Sequence, residues 1–258
     1  MLTTEFAVGA PIWIDLGVGD IPAAGAFYGD LFGWDLEITG PETGGYGILR
    51  KGGKSVGALA PLMDESAASV WSVYFHALDA DATTKAVERA GGGVLLPPMD
   101  VLDMGRLAGF TDSTGVGFMV WEPGTNKGLE LVQDVGALCW TELYTADRSA
   151  ATGFYHAVFG WNYQDFPSPD GDYTLAYPGE DVDAMHAGVA EVDPRETTPQ
   201  WQIYIGVDDC DASFARAIEL GGTELTAPYD IPDVGRIAMV NDPFGARFAM
   251  IKGIPPAK

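Results

Sequence analysis

Residues 9–34, GAPIWIDLGVGDIPAAGAFYGDLFGW, and residues 136–161, GALCWTELYTADRSAATGFYHAVFGW, are one segment written twice. Trp13 matches Trp140, Asp20 matches Asp147, and Phe27-Tyr28 matches Phe154-Tyr155. Phe32-Gly33-Trp34 matches Phe159-Gly160-Trp161. Further on, PMDVLDMGRLAGFTDSTG (98–115) matches PYDIPDVGRIAMVNDPFG (228–245), with Trp71 against Trp201 and Tyr74 against Tyr204. The offset is 127 early (136 against 9) and 130 later (228 against 98), so one copy carries a small loop insertion. Self-similarity at a fixed period marks a repeated structural unit, here two copies of a domain of ~120 residues. The expected division is one domain at 8–122, a linker at 123–135 and a second domain at 136–253.

Each copy has the same rhythm. Alternation over 12–18 predicts a strand. Asp20 then caps a helix over about 21–32, with Pro22 in its first turn and Gly33 at its end. Short strands follow near 34–38, 45–50 and 54–60, separated by glycine pairs. A strand at 71–78 and a helix near 80–90 come next, then strands near 93–96, 106–111 and 116–121. Strand, helix and three strands thus recur twice per copy. That pattern predicts an α+β fold of mainly antiparallel strands rather than alternating β-α units.

The chain has 258 residues, with 14 Lys+Arg against 37 Asp+Glu and a formal charge of −23. Such a surface repels phosphate backbones and anionic lipids, which argues against nucleic-acid or membrane partners and favours a cationic ligand. No apolar run reaches the ~18 residues of a membrane span, and MLTTEFAVGA lacks the features of a signal peptide, so a cytoplasmic location is expected. Cys139 and Cys210 have no metal or redox spacing.

The quoted signatures, together with Asp242-Pro243-Phe244-Gly245 and its degraded copy Asp112-Ser113-Thr114-Gly115, resemble the vicinal oxygen chelate superfamily. That superfamily includes glyoxalase I, extradiol dioxygenases and bleomycin-resistance proteins. The resemblance spans about 9–252 and implies tandem glyoxalase-like domains, each of two βαβββ modules forming a curled sheet around a cavity. In single-domain relatives two chains pair, so a monomer or a homodimer is expected here. Metal-dependent members carry His, Gln or Glu at set strand positions. The matching residues here are Trp13 and Trp140, about Ser72 and Gln202, and Met119 and Ala249. The remaining ligand strand reads SVGALA (55–60) and HAGVAE (186–191), with no carboxylate at the matching centre. Tryptophan, methionine and alanine supply no donor to a divalent ion, so no metal site and no cofactor is expected.

Strand alternation places Trp13 with Asp15, and Trp140 with Glu142, on one face. An indole beside a carboxylate suits a planar or cationic ligand, and Asp15 or Glu142 could act as a general base, as could His76. Tyr74, Tyr204 and Trp121 are expected to face the same cavity. Arg106 and Arg236, matched in Gly-Arg-x-Ala, are read either as ligand contacts or as partners of the two acids. Two functions follow. One is a metal-free binding protein of the bleomycin-resistance type, sequestering or acting on an aromatic or cationic metabolite or antibiotic. The other is an enzyme: a metal-independent isomerase, cyclase or lyase using Asp15, Glu142 or His76, or a glyoxalase- or dioxygenase-like enzyme with atypical metal ligands.

Overall fold

The computed structural model describes residues 1–40, 43–62, 64, 66–168 and 171–254. Four βαβββ modules follow one another. The first is β1 (Pro11–Val18), α1 (Ile21–Phe32), β2 (Asp35–Ile38), β3 (Gly47–Lys51) and β4 (Lys54–Pro61). The second is β5 (Val70–His76), α2 (Ala80–Arg89), β6 (Gly93–Val101), β7 (Gly105–Thr111) and β8 (Gly117–Pro123). The third is β9 (Leu138–Thr145), α3 (Arg148–Phe159), β10 (Trp161–Ser168), β11 (Gly171–Pro178) and β12 (Ala187–Glu191). The fourth is β13 (Gln200–Gly206), α4 (Cys210–Glu219), β14 (Thr223–Ile231), β15 (Gly235–Asn241) and β16 (Arg247–Gly253).

Each helix begins at an aspartate whose side chain accepts a backbone N–H three residues on: Asp20 from Ala23 (2.9 Å), Asp79 from Ala82 (2.8 Å), Asp147 from Ala150 (2.9 Å) and Asp209 from Ala212 (3.0 Å). This satisfies one of the donors that a helix start leaves orphaned. Two open eight-stranded sheets result, in the orders β2-β3-β4-β1-β5-β8-β7-β6 and β10-β11-β12-β9-β13-β16-β15-β14. The hairpins are antiparallel, while β1 pairs β4, β5 pairs β8, β9 pairs β12 and β13 pairs β16 in parallel. The expected α+β architecture of repeated βαβββ modules is therefore what forms.

One strand is longer than its sequence suggests. The strand expected near 93–96 runs on through Pro97 and Pro98 to Val101. Its register against β7 slips between Leu96 and Met99, and β6 closes the end of its sheet. Prolines are tolerated at such an edge bulge because the missing N–H has no neighbouring strand to serve. The loops 41–45 and 167–172 differ in sequence between the copies and are where a ligand preference is expected to be tuned; of these, residues 41–42 and 169–170 lie outside the described residues.

The chain packs as two compact units, each taking one module from each repeat. The first comprises Met1–Trp13, Ser72–Gly128 and Trp140–Gln202; the second comprises Ile14–Trp71, Leu129–Cys139 and Ile203–Lys258. The repeated signatures are their cores. In the second unit the Tyr28 ring stacks on Trp34 (5.6 Å) and meets Trp71 edge-on (5.4 Å). Its hydroxyl accepts from Trp71 Nε1 (3.0 Å) and donates to Asp242 Oδ2 (2.8 Å). In the first unit Tyr155 stacks on Trp161 (4.8 Å), accepts from Trp201 Nε1 (3.0 Å) and donates to Asp112 Oδ2 (3.2 Å). Burial, then the neighbouring carboxylate, pushes both phenols well above their ordinary range, which keeps them protonated donors.

The aspartates of these two relays are the first residues of the Asp-Pro-x-Gly turn and its degraded copy. Asp242 Oδ1 accepts from Phe244 N (2.9 Å) and Ala246 N (2.8 Å). Asp112 Oδ1 accepts from Thr114 N (2.8 Å) and Val116 N (3.0 Å). The turn thus survives replacement of proline by Ser113, because it is the carboxylate that ties it. The indole N–H groups of Trp34 and Trp161 also have matched partners, the carbonyls of Gly136 (2.7 Å) and Gly9 (3.1 Å).

Candidate ligand site

On β1, Ile12, Ile14 and Leu16 are buried in the core, so the alternate residues Trp13 and Asp15 point from the other face. Both are also buried, at 6% and 4% exposure. On β9, Thr141, Leu143 and Thr145 fill the core while Trp140 and Glu142 take the opposite face; Trp140 is half-buried and Glu142 is 6% exposed.

The structure adds a residue type to each pair that the sequence reading missed. The Tyr46 hydroxyl donates to Asp15 Oδ2 at 3.1 Å. Tyr173 accepts from Trp140 Nε1 at 3.0 Å and hydrogen-bonds the Glu142 side chain. Tyr46 and Tyr173 stand 127 positions apart, the same offset as Trp13 to Trp140 and Asp15 to Glu142. That offset was the available signal. Tyr173 sits on β11 in register with Ala190, while Tyr46 immediately precedes β3. Burial first, and the Glu142 charge second, raise the Tyr173 phenol well above its ordinary range. A phenol held protonated can only give its proton to the carboxylate and take the indole N–H, so Trp140, Tyr173 and Glu142 form a directed chain.

The remaining expected site residues fall as follows. Tyr74, on β5, is buried and in register with Met119 on β8; Tyr204, on β13, is buried and in register with Ala249 on β16. Trp121 is in register with His76, and its indole N–H is engaged by the Asn126 carbonyl at 3.0 Å. The His76 Nδ1 lies 2.9 Å from the Phe6 carbonyl. A carbonyl only accepts, so that nitrogen carries the proton and Nε2 is the basic one. His76 lines a groove of about 390 Å³ with Phe6, Ile12, Leu78, Glu122 and Lys127.

Arg106 and Arg236 do not serve as the cations of the indole–acid pairs. Arg106 pairs with Asp81 (2.7 Å) and Asp100 (2.9 Å), and Arg236 with Asp211 (2.6 Å) and Asp230 (3.2 Å). In each case the helix after the module's first strand and the strand that follows present an aspartate on either side of the guanidinium. These nearer, exposed carboxylates outcompete a buried one because the pair forms without desolvating either ion.

The fold implies a divalent metal, which needs several N or O donors converging on one point. The strand positions expected to supply ligands hold Trp13, Trp140, Met119 and Ala249, with Ser72 and Gln202 as the polar exceptions, and Asp15 and Glu142 face Ala58 and Gly188 in register rather than a second donor. Among the described residues no three His, Cys, Asp or Glu side chains gather as a metal-holding group. These residues do not fit a conventional chelate.

Fold and site together define a class. Residues 11–120 match the Glyoxalase/Bleomycin resistance protein/Dioxygenase superfamily and residues 140–251 match a Glyoxalase-like domain. The chain belongs to this superfamily, the vicinal oxygen chelate proteins, as a tandem member. Among similar proteins, the anthracycline biosynthesis protein DauV of a Streptomyces species is 40% identical, with 96% of this chain and 95% of that protein covered. DnrV of Streptomyces peucetius, also an anthracycline biosynthesis protein, is 39% identical over 98% of each chain. CFP32 of Mycobacterium tuberculosis, provisionally named a glyoxylase, is 35% identical over 98% of each. Solved structures share the fold at low identity. The Mn(II)-bound glyoxalase from Novosphingobium aromaticivorans superposes with TM-score 0.61 at 15% identity, covering 96% of this chain and 84% of that one. The 2,3-dioxygenase LapB from a Pseudomonas species gives 0.62 at 15%, covering 97% and 95%.

Proposed function

We propose that this protein binds a flat aromatic small molecule on its indole–carboxylate faces, without the metal of its superfamily. The observation that carries the reading is the twofold recurrence, at one offset, of tryptophan, acid and phenol: Trp13, Asp15 and Tyr46, then Trp140, Glu142 and Tyr173. The indole supplies stacking area and the carboxylate an acceptor for a ligand O–H or N–H. The names of two relatives, which refer to anthracycline biosynthesis, support a polycyclic aromatic class. The charge of −23 favours a cationic over an anionic ligand and disfavours nucleic-acid and membrane partners. We place the chain in the cytoplasm as a monomer or homodimer, with the repeats 8–122 and 136–253 as its two domains and 123–135 as their link.

Titration with an anthracycline tests the reading through quenching of tryptophan emission. Saturable quenching is expected, weakened in Trp140→Phe or Trp13→Phe and not reproduced by the flat anion anthraquinone-2-sulfonate. Absence of quenching, or quenching indifferent to both substitutions, would sink it.

A second reading is favoured by the phenol–carboxylate bonds themselves, which orient an acid for proton transfer. In that case Glu142, Asp15 or His76 serves as the base of a metal-independent isomerisation, cyclisation or lyase step. Turnover unchanged in Asp15→Asn, Glu142→Gln and His76→Gln would remove these residues from any mechanism. Stoichiometric zinc, nickel, iron or manganese in protein purified without chelator would instead favour a metal enzyme with atypical ligands.

A further inference from the structure

We propose that Tyr173 is a positioning residue of the second repeat's site, seated by Gly188, so that contact at Trp140 is transmitted to Glu142. The inference rests on the binding reading above. Its geometric basis is a close approach between two strands. Glu142 on β9 faces Gly188 on β12, and a side-chain carbon built at Gly188 would stand 1.8 Å from the Tyr173 hydroxyl and 2.3 Å from its ring carbon Cζ. Contacts that short do not occur, so only glycine at 188 lets the phenol lie across β12. From there it reaches both Trp140 Nε1 and the Glu142 side chain.

The first repeat has alanine where the second has this glycine. Asp15 faces Ala58 at the matching register position, where a methyl group already occupies the space. Tyr46 still meets its acid, at 3.1 Å. The two sites share residue types. In the second, the indole, the phenol and the acid are linked in series. A ligand stacked on Trp140 therefore finds Glu142 pre-oriented, which reduces the ordering cost of binding. Gly188 and Tyr173 become determinants of affinity that neither stack on the ligand nor accept its proton.

The experiment uses the full chain labelled with 5-fluorotryptophan and read by fluorine NMR; the Trp140 resonance is the one absent in Trp140→Phe. In the free protein this resonance is expected to move in Tyr173→Phe, in Gly188→Ala and in Glu142→Gln. It should also follow a carboxylate titration that Tyr173→Phe abolishes, which a purely structural tyrosine would not do. With an anthracycline as the probe, Tyr173→Phe is expected to weaken binding about tenfold. The double variant Tyr173→Phe/Glu142→Gln should bind no more weakly than Glu142→Gln alone, as for a residue that acts through the acid. Should Gly188→Ala fail to fold, Tyr173→Phe, which keeps the ring, carries the test. An unmoved Trp140 resonance in Tyr173→Phe, or full affinity there alongside loss in Trp140→Phe, overturns the positioning role. Equal affinity in Trp140→Phe, Trp13→Phe and the parent protein instead overturns the binding reading, a different result from the first.

Discussion

A tyrosine hydroxyl that both accepts and donates inside a core is costly to remove, because two partners lose their bond at once. Tyr28 joins Trp71 to Asp242, and Tyr155 joins Trp201 to Asp112. Tyr28→Phe is expected to lower stability by about 2 kcal/mol, leaving a buried carboxylate and an indole N–H short of a partner; urea unfolding measures it. His186 is a second residue with a definite consequence. It is buried and lies edge-on to Trp161 at 4.9 Å. Burial pushes its imidazole down to about 3, against an ordinary value of 6.5. Between those two values the unfolded chain binds a proton that the folded chain refuses, so stability falls as pH drops from 6.5 towards 3. His186→Leu should flatten that part of the stability profile in urea melts at pH 4 and 7; equal slopes would refute the assignment. At this scale the indoles and acids are legible through alternation, and Tyr46 and Tyr173 only through their shared 127-residue offset. Gly188 was not legible, since its meaning depends on a phenol from a different strand lying across it.

Helix starts were readable because their chemistry is local. Asp20, Asp79, Asp147 and Asp209 each complete a bond within four residues. Asp147→Ala is expected to cost about 1 kcal/mol, seen as an earlier urea midpoint with an unchanged slope; a changed slope would mean that more than a cap is lost. Strand ends were harder. Pro97-Pro98 reads as a terminator unless the strand is known to lie at a sheet edge, and edge status is a property of the strand order. The same holds for Arg106 and Arg236. Their partners Asp81, Asp100, Asp211 and Asp230 sit on other elements of the same module, and pattern alone offered only ligand contact or the strand acids Asp15 and Glu142.

For the whole molecule, 37 acidic against 14 basic residues make any encounter with a cation sensitive to ionic strength. Affinity for a cationic anthracycline should fall between 20 and 500 mM sodium chloride, with screening lengths of about 20 and 4 Å; salt-independent binding would assign the attraction to stacking alone. No helix among the described residues is long and apolar enough to cross a membrane. The repeats were plain in the sequence. That each compact unit draws one module from each repeat was not, because local patterns do not say which module a helix will pack against.

Tyr28 and Asp242 are 214 positions apart and come from different copies of the ancestral gene, as do Tyr155 and Asp112. After the duplication neither copy was therefore free to drift. A change at the turn of one is felt in the helix of the other, and evolutionary compensation is expected to cross the fusion point rather than stay within a copy. Loss of either copy would take residues out of both aromatic cores, which makes the fusion hard to reverse.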